Sequence, residues 1–164
     1  MITTADLCDS HSDMIGAGGL LVLQGAWRWF GKAASMAGPI ATLQARGCNL
    51  ELREQLDQPG LGRILVIEAG GDPGALLGDN LAIKALVNGW AGFFINGNVR
   101  DSRALSAIDL PVLALGAWPA RSKNGPGGRG DVTLEIGGAR LSPGNWLYAD
   151  ADGVLLSEVQ LNTN

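Results

Sequence analysis

Two short stretches of this chain hold groups suited to a small anion. Arg100-Asp101 follows the apolar run Ala91–Gly97, and Gly78-Asp79-Asn80-Leu81 lies upstream, with twenty residues between Asp79 and Arg100. A guanidinium presents planar donors to a carboxylate or oxo group, and an adjacent carboxylate presents hard oxygen to a divalent cation. At the C-terminal end of a strand, where open α/β folds build their sites, the pair suits chemistry on a small oxo acid. The upstream stretch opens an amphipathic segment. Its first backbone amides, notably those of Asn80 and Leu81, attract anions, with Asp79 doubling as the N-cap. Both stretches also have plainer readings. Gly70–Leu81 can be an ordinary glycine-rich connection, and Asp101 can simply cap a short helix from Ser102.

The other motifs carry less. Gly125-Pro-Gly-Gly-Arg-Gly130 has glycine spacing resembling a dinucleotide loop, but an alternating strand follows it where a helix is required. It reads as a surface loop, and no glycine motif sits correctly for S-adenosylmethionine. Asp150-Ala-Asp152-Gly153 fails as a calcium loop because Val154 and Leu161 fall on ligand positions. An Asp-Gly turn fits better. His11 is the single histidine, between Asp9 and Asp13 on a solvated face, so a histidine-rich metal site is excluded. Lys32, Lys84 and Lys123 are the only lysines and none lies in the motif, which argues against Schiff-base chemistry.

These groups must be positioned by a chain of 164 residues, read as one domain over 1–164. A net charge of −4 and a pI near 4.8 argue against direct nucleic-acid binding, which needs excess Lys and Arg. With 46% hydrophobic and 17% charged residues, the chain is oily enough to hide further surface in an oligomer. There is no apolar signal core and no membrane-length run, so a cytoplasmic protein with reduced, buried Cys8 and Cys48 is expected.

The pattern predicts a helix over Thr4–Asp9 with Thr3 or Thr4 as N-cap, and strands at Leu20–Leu23 and Pro39–Leu43 flanking an aromatic-rich loop. Asn49 caps a helix over Leu50–Leu56. Arg63–Ile67, Ala91–Gly97 and Pro111–Leu115 read as buried strands. Between them lie a helix over Asp79–Asn88, with Leu81, Ala82, Ala85 and Leu86 on one face, and a short helix over Ser102–Ile108. That alternation indicates βαβ units and a parallel portion of sheet. Asp131–Ile136 alternates as a half-exposed strand, Gly137-Gly138 turns it into Ala139–Leu141, and short strands surround Trp146–Tyr148 and Val154–Leu156. The tail after Glu158 reads as loose.

Taken together, the chain resembles the RraA-like proteins, which include class II 4-hydroxy-4-methyl-2-oxoglutarate (HMG) aldolases and the regulator of ribonuclease E activity A. The resemblance runs through Thr4–Asp9, Ala37–Thr42, Gly62–Ile67, Ala75–Asp79, Gly92–Asp101, Pro119–Ser122, Gly137-Gly138 and Leu147–Gly153. The aldolase pattern of an Asp, twenty residues and Arg-Asp falls on Asp79, Arg100 and Asp101.

The resemblance implies an α/β fold of the swivelling β/β/α sandwich type with a βαβ core. It also implies a ring-shaped homotrimer, or paired trimers, with sites at subunit interfaces. It implies a lyase dependent on Mg²⁺ or Mn²⁺ that cleaves HMG to two pyruvates or decarboxylates oxaloacetate. Gly78, Asp79, Asn80 and Leu81 would hold the 2-oxo acid, Arg100 its oxygens, and Asp101 the metal, with Asp79 steering a proton-transferring water. Regulator-type members can lack the acidic residue that this chain keeps as Asp101. The chain also lacks the C-terminal extension of longer aldolases, and Asn145 stands where many relatives carry Asp. A non-catalytic inhibitor that binds ribonuclease E therefore stays open as the alternative.

Overall fold

In a computed structural model, residues 2–163 are described. In chain order they form α1 (Thr4–Ser10), α2 (Ser12–Gly16), β1 (Leu20–Val22), β2 (Arg28–Trp29), β3 (Met36–Gln44), α3 (Leu50–Leu56), β4 (Ile64–Glu68) and β5 (Ala75–Leu77). Then follow α4 (Asp79–Val87), β6 (Gly92–Val99), α5 (Ser102–Leu105), β7 (Val112–Ala117), β8 (Arg129–Gly130), β9 (Leu134–Ile136), β10 (Ala139–Leu141), β11 (Trp146–Ala149) and β12 (Val154–Ser157).

Ten strands form one sheet: eight follow the path β1-β12-β11-β3-β4-β6-β7-β2, with β5 added beside β6 and β8 beside β3, while β9 and β10 form a separate hairpin. The neighbours β3, β4, β6 and β7 are parallel, and β11, β12, β1 and β2 join antiparallel. The parallel strands are continuous apolar runs because both of their faces are covered. Ile64, Leu65, Val66 and Ile67 are all 0% exposed. Alternate residues divide between two cores. Leu65, Ile67, Phe93 and Ile95 pack with Leu52 and Leu56 of α3, Ala82 and Ala85 of α4, and Leu105 of α5. Ile64, Val66, Phe94 and Leu113 pack instead with Leu134, Ile136 and Leu141 of the hairpin and Leu147 of β11.

Several expectations shift by a residue or a role. Thr3 caps α1 through a capping box with Asp6. Asn49 occupies the N-cap of α3 but makes no capping bond. In α4 the buried face is Ala82 and Ala85, while Leu86 is exposed. Of the expected strand at 131–136, only Leu134–Ile136 is paired, as β9. Cys8 and Cys48 are free and half-buried rather than buried. The residues after Glu158 form no regular element, yet Leu161 is buried among Leu7, Tyr148 and Leu155 and its N–H donates to Tyr148 Oη at 2.7 Å. No helix among the described residues is long and apolar enough to cross a membrane.

Three short strands within stretches read as loops are further findings, among them β8, which pairs with β3. Another is β2, in the aromatic segment, which pairs with β7. The third is β5, which follows the turn at Gly70-Gly71 and lies parallel to the C-terminal half of β6, Ala75 opposite Asn98 and Leu77 opposite Val99. That strand decides where the site forms.

Candidate functional site

Because β5 and β6 run parallel and end together, the residues leaving them are neighbours. Arg100 donates its N–H to Leu77 O at 2.9 Å, which ties the exit of β6 to the exit of β5. Gly78 thus stands beside Arg100-Asp101, and α4 starts at the same point. The two stretches singled out by residue type form one place, at the C-terminal ends of parallel strands.

Gly78, not Asp79, is the N-cap of α4. Its φ of −128° and ψ of −173° are extended and open to any residue, so what the glycine supplies is space for the Asp101 carboxylate rather than backbone freedom. A Cβ here would sit 2.5 Å from Asp101 Oδ2 and 3.5 Å from Arg100 Cγ. Asp79 is the first helical residue, and its Oδ1 accepts from Asn80 N–H at 2.8 Å. Of the two amides expected to meet an anion, Asn80's is therefore already engaged. Leu81 N–H has no partner among the described residues.

Asp101 takes φ 56° and ψ 39°, the left-handed conformation, which Asp tolerates better than most residues. It occupies the N-cap position of α5, and its carbonyl accepts from Leu105 N–H at 2.9 Å, but its side chain makes no capping bond. The plainer reading of this residue thus accounts for its backbone and not for its carboxylate. That carboxylate lies over Gly78, with Arg100 Nε 3.8 Å from Oδ2, and both side chains are partly exposed. At that separation in a solvated setting the pair contributes little to stability.

Around them lies a cavity of about 340 Å³ lined by Ala75–Leu81, Asn49, Arg53, Lys84, Arg100, Asp101 and Arg121. Its walls carry four cationic side chains against the carboxylates Asp79 and Asp101, on a chain whose net charge is −4. An acidic protein that gathers cations in one hollow focuses a positive field there. Asp79 and Asp101 also line an open hollow next door with Ser102, Arg103 and Ala104. A larger cavity of about 880 Å³, lined in part by Met36, Ala91, Pro111 and Tyr148, lies at the opposite, N-terminal ends of β3, β6 and β7. It lacks the convergent charged groups that chemistry on an oxo acid requires.

No cluster of three or more His, Cys, Asp or Glu side chains occurs among the described residues. The donor set at the site is one or two carboxylates with open space beside them. That set fits Mg²⁺, which keeps several waters and takes one or two protein carboxylates, and does not fit a fully protein-ligated zinc.

The remaining candidates resolve structurally. His11 Nδ1 lies 3.0 Å from Leu7 O between α1 and α2. Asp150 binds Thr4, its Oδ2 accepting from Thr4 N–H at 2.7 Å and its Oδ1 from the Thr4 hydroxyl at 2.6 Å. Burial pushes the Asp150 carboxyl up, but the bonds from Thr4, Asp152 and Gly153 outweigh it and hold the group below the usual carboxylate range. The Gly125–Gly130 loop runs into β8 rather than a helix. Asn145 shapes a turn, its Oδ1 accepting from Ser142 N–H at 2.9 Å. Nothing in the sequence assigns a role to Arg53, Lys84 or Arg121. They reach the cavity from α3, α4 and the loop after β7, and no spacing announces that convergence.

Comparison with known proteins agrees on family and fold, while the relatives carry different functional names. Residues 4–156 match the model of the RraA-like family described as Aldolase/RraA. A Burkholderia mallei protein carrying the provisional name 4-hydroxy-4-methyl-2-oxoglutarate aldolase is 46% identical over 159 residues, 96% of each chain. A Geobacillus kaustophilus structure named S-adenosylmethionine:2-dimethylmenaquinone methyltransferase superposes with a TM-score of 0.90 at 40% identity, covering 98% of this chain and 97% of that one. The RNA-processing inhibitor RraA of Thermus thermophilus gives a TM-score of 0.89 at 35% identity, over 99% and 96% of the two chains.

Proposed function

This chain belongs to the RraA-like family, and on that premise we propose that it is a divalent-metal-dependent carbon-carbon lyase, cleaving HMG to two pyruvates and decarboxylating oxaloacetate. One observation carries the reading. The exits of β5 and β6 bring the Arg100 guanidinium, the Asp101 carboxylate and the open start of α4 around one cationic cavity. The mixed α/β fold is that of the solved RraA protein.

The residues divide the work. Leu81 N–H, with the start of α4, receives an oxygen of the 2-oxo acid. Arg100 donates to the 2-oxo oxygen. In HMG the C4 hydroxyl loses its proton, the C3–C4 bond breaks, and C4 becomes the ketone of one pyruvate. The bonding electrons delocalise onto the 2-oxo oxygen as an enolate, which then takes a proton at C3 to give the second pyruvate. In oxaloacetate, CO₂ leaves and the same enolate results. Arg100 stabilises that oxyanion more strongly than the starting ketone, the differential binding that lowers a barrier. Asp79 directs a water that moves the proton. Asp101 holds the Mg²⁺ or Mn²⁺, which when bound supplies Lewis acidity toward the substrate oxygens.

Purified protein with Mg²⁺ or Mn²⁺ is expected to release pyruvate from HMG or oxaloacetate in a dehydrogenase-coupled assay, and chelator to stop it. Arg100→Ala and Asp101→Ala are expected to abolish the signal. Undiminished activity in both variants sinks the site assignment.

The Thermus relative is named an RNA-processing inhibitor, which supports a second reading, of which binding to ribonuclease E is the form the family resemblance implies. A pull-down with the endonuclease's scaffold region tests it; a folded protein that retains none of it counts against that role. Homotrimer formation is likewise a proposal. It is supported by exposed Leu50, Ile83 and Val87 on the helices that carry Arg53 and Lys84, and light scattering checks it.

A further inference from the structure

Arg121 enters the cavity from a wall that the proposed chemistry leaves unused. Its backbone is anchored on both sides. Ala75 N–H donates to Ala120 O at 2.8 Å and Ser122 N–H donates to Ala75 O at 2.9 Å, which docks the loop against β5. Ser122 is 3% exposed, and its hydroxyl donates to Asp72 Oδ2 at 2.5 Å. The approach is close enough to need a glycine, since a Cβ on Gly74 would fall 2.7 Å from Ser122 Cα. A rigid mount therefore carries a flexible cation.

The cations around the cavity differ in what they are free to do. Lys84 is paired with Asp57, and Arg100 lies beside Asp101. The guanidinium of Arg121 has neither hydrogen bond nor ion pair among the described residues, and it keeps its planar donors for an incoming group. Arg53, on α3, is also without a side-chain partner among the described residues, which makes it the competing candidate and the control in the test below. A dianionic substrate carries a second carboxylate, and a guanidinium with free planar donors in the same cavity matches it in bidentate geometry.

Resting on the lyase reading, we propose that Arg121 is a specificity-determining residue that pairs with the far carboxylate of a dianionic 2-oxo acid. Leu81 N–H and Arg100 hold the near end. The site then prefers dicarboxylic 2-oxo acids to monocarboxylic ones, because only the former satisfy both ends.

The test compares two reactions of the full-length protein with Mg²⁺: decarboxylation of oxaloacetate, and exchange of pyruvate methyl protons with deuterium, which uses the same enolate but has no far carboxylate. Arg121→Ala is expected to raise the KM for oxaloacetate about ten-fold or more, well beyond its effect on pyruvate exchange, with kcat changed less. Arg121→Lys is expected to recover part of the loss. Equal losses in both reactions overturn the proposal, as does an oxaloacetate-selective KM increase in Arg53→Ala that Arg121→Ala lacks. A wild-type protein inert in both reactions overturns the lyase reading itself. An active wild type whose oxaloacetate KM is unmoved by Arg121→Ala overturns this inference alone.

Discussion

Asp101 Oδ2 occupies the place that a side chain at Gly78 would take, 2.5 Å from the Cβ that any other residue would put there. A carboxylate at the exit of β6 is thereby seated over the residue that ends β5 and begins α4. The metal ligand and the anion-binding helix start of the proposed mechanism are in contact through one missing methyl group.

Gly78→Ala follows directly. The clashing atom is the end of a flexible side chain and the backbone at 78 is extended, so the fold accommodates the methyl while the carboxylate swings away. Activity is expected to fall about 10²-fold, the scale of an ångström-sized misplacement, with a nearly unchanged melting temperature. Pyruvate release beside calorimetry checks this. Full activity in Gly78→Ala means that the seat of Asp101 does not matter.

Asp101 separates charge from backbone strain. Its left-handed φ of 56° suits Asn nearly as well as Asp but penalises Ala by about 1 kcal/mol. Asp101→Asn is expected to melt close to wild type and Asp101→Ala a few degrees lower. Both are expected to lose metal-dependent activity. Melting curves of the pair settle the conformational part, and identical Tm values contradict it.

Asp150 supplies a pH dependence of stability. Its carboxyl is held below the usual value in the folded state, chiefly by Thr4 against the opposing push of burial. The sign follows: its stabilisation is present above the unfolded value of about 4 and is lost as pH falls through the lower folded value. Asp150→Asn lacks that term. The Tm gap between wild type and Asp150→Asn should therefore narrow on acidification below about pH 4. A gap constant across that range rules the mechanism out.

Tyr148 pins the C-terminal tail. Removing the hydroxyl in Tyr148→Phe leaves the N–H of buried Leu161 without its 2.7 Å partner, at a cost of about 1–3 kcal/mol if the tail stays docked. The expected result is faster amide exchange and proteolysis after Glu158, with a Tm lower by a few degrees. Unchanged exchange at Leu161 contradicts it.

Much of the scaffold was legible because its signals are local. Ile64–Ile67 reads as a buried strand because both sheet faces are covered, and Gly137-Gly138 reads as a turn because both residues need positive φ. The tail reads as loose because a single Leu161 carries no periodicity, although that one side chain finds a pocket. The cap of α4 falls one residue earlier than read, since Asp at a helix start is a good N-cap by type while the seated Asp101 carboxylate leaves no room for a Cβ at position 78.

By itself, the sequence determined the strand and helix alternation and the covalent neighbours Arg100 and Asp101, since these depend on residue type and short spacing. Only the tertiary structure decided that Ala75–Leu77 is a strand beside β6, that Gly78 faces Asp101, and that Arg53 and Arg121 share their cavity. Three residues are too few to show a period. Their pairing is made by backbone N–H and C=O groups that every residue type carries. Which side chains meet at the ends of two parallel strands is therefore set by register, and register is written in the packing of the whole sheet rather than in the residues that meet.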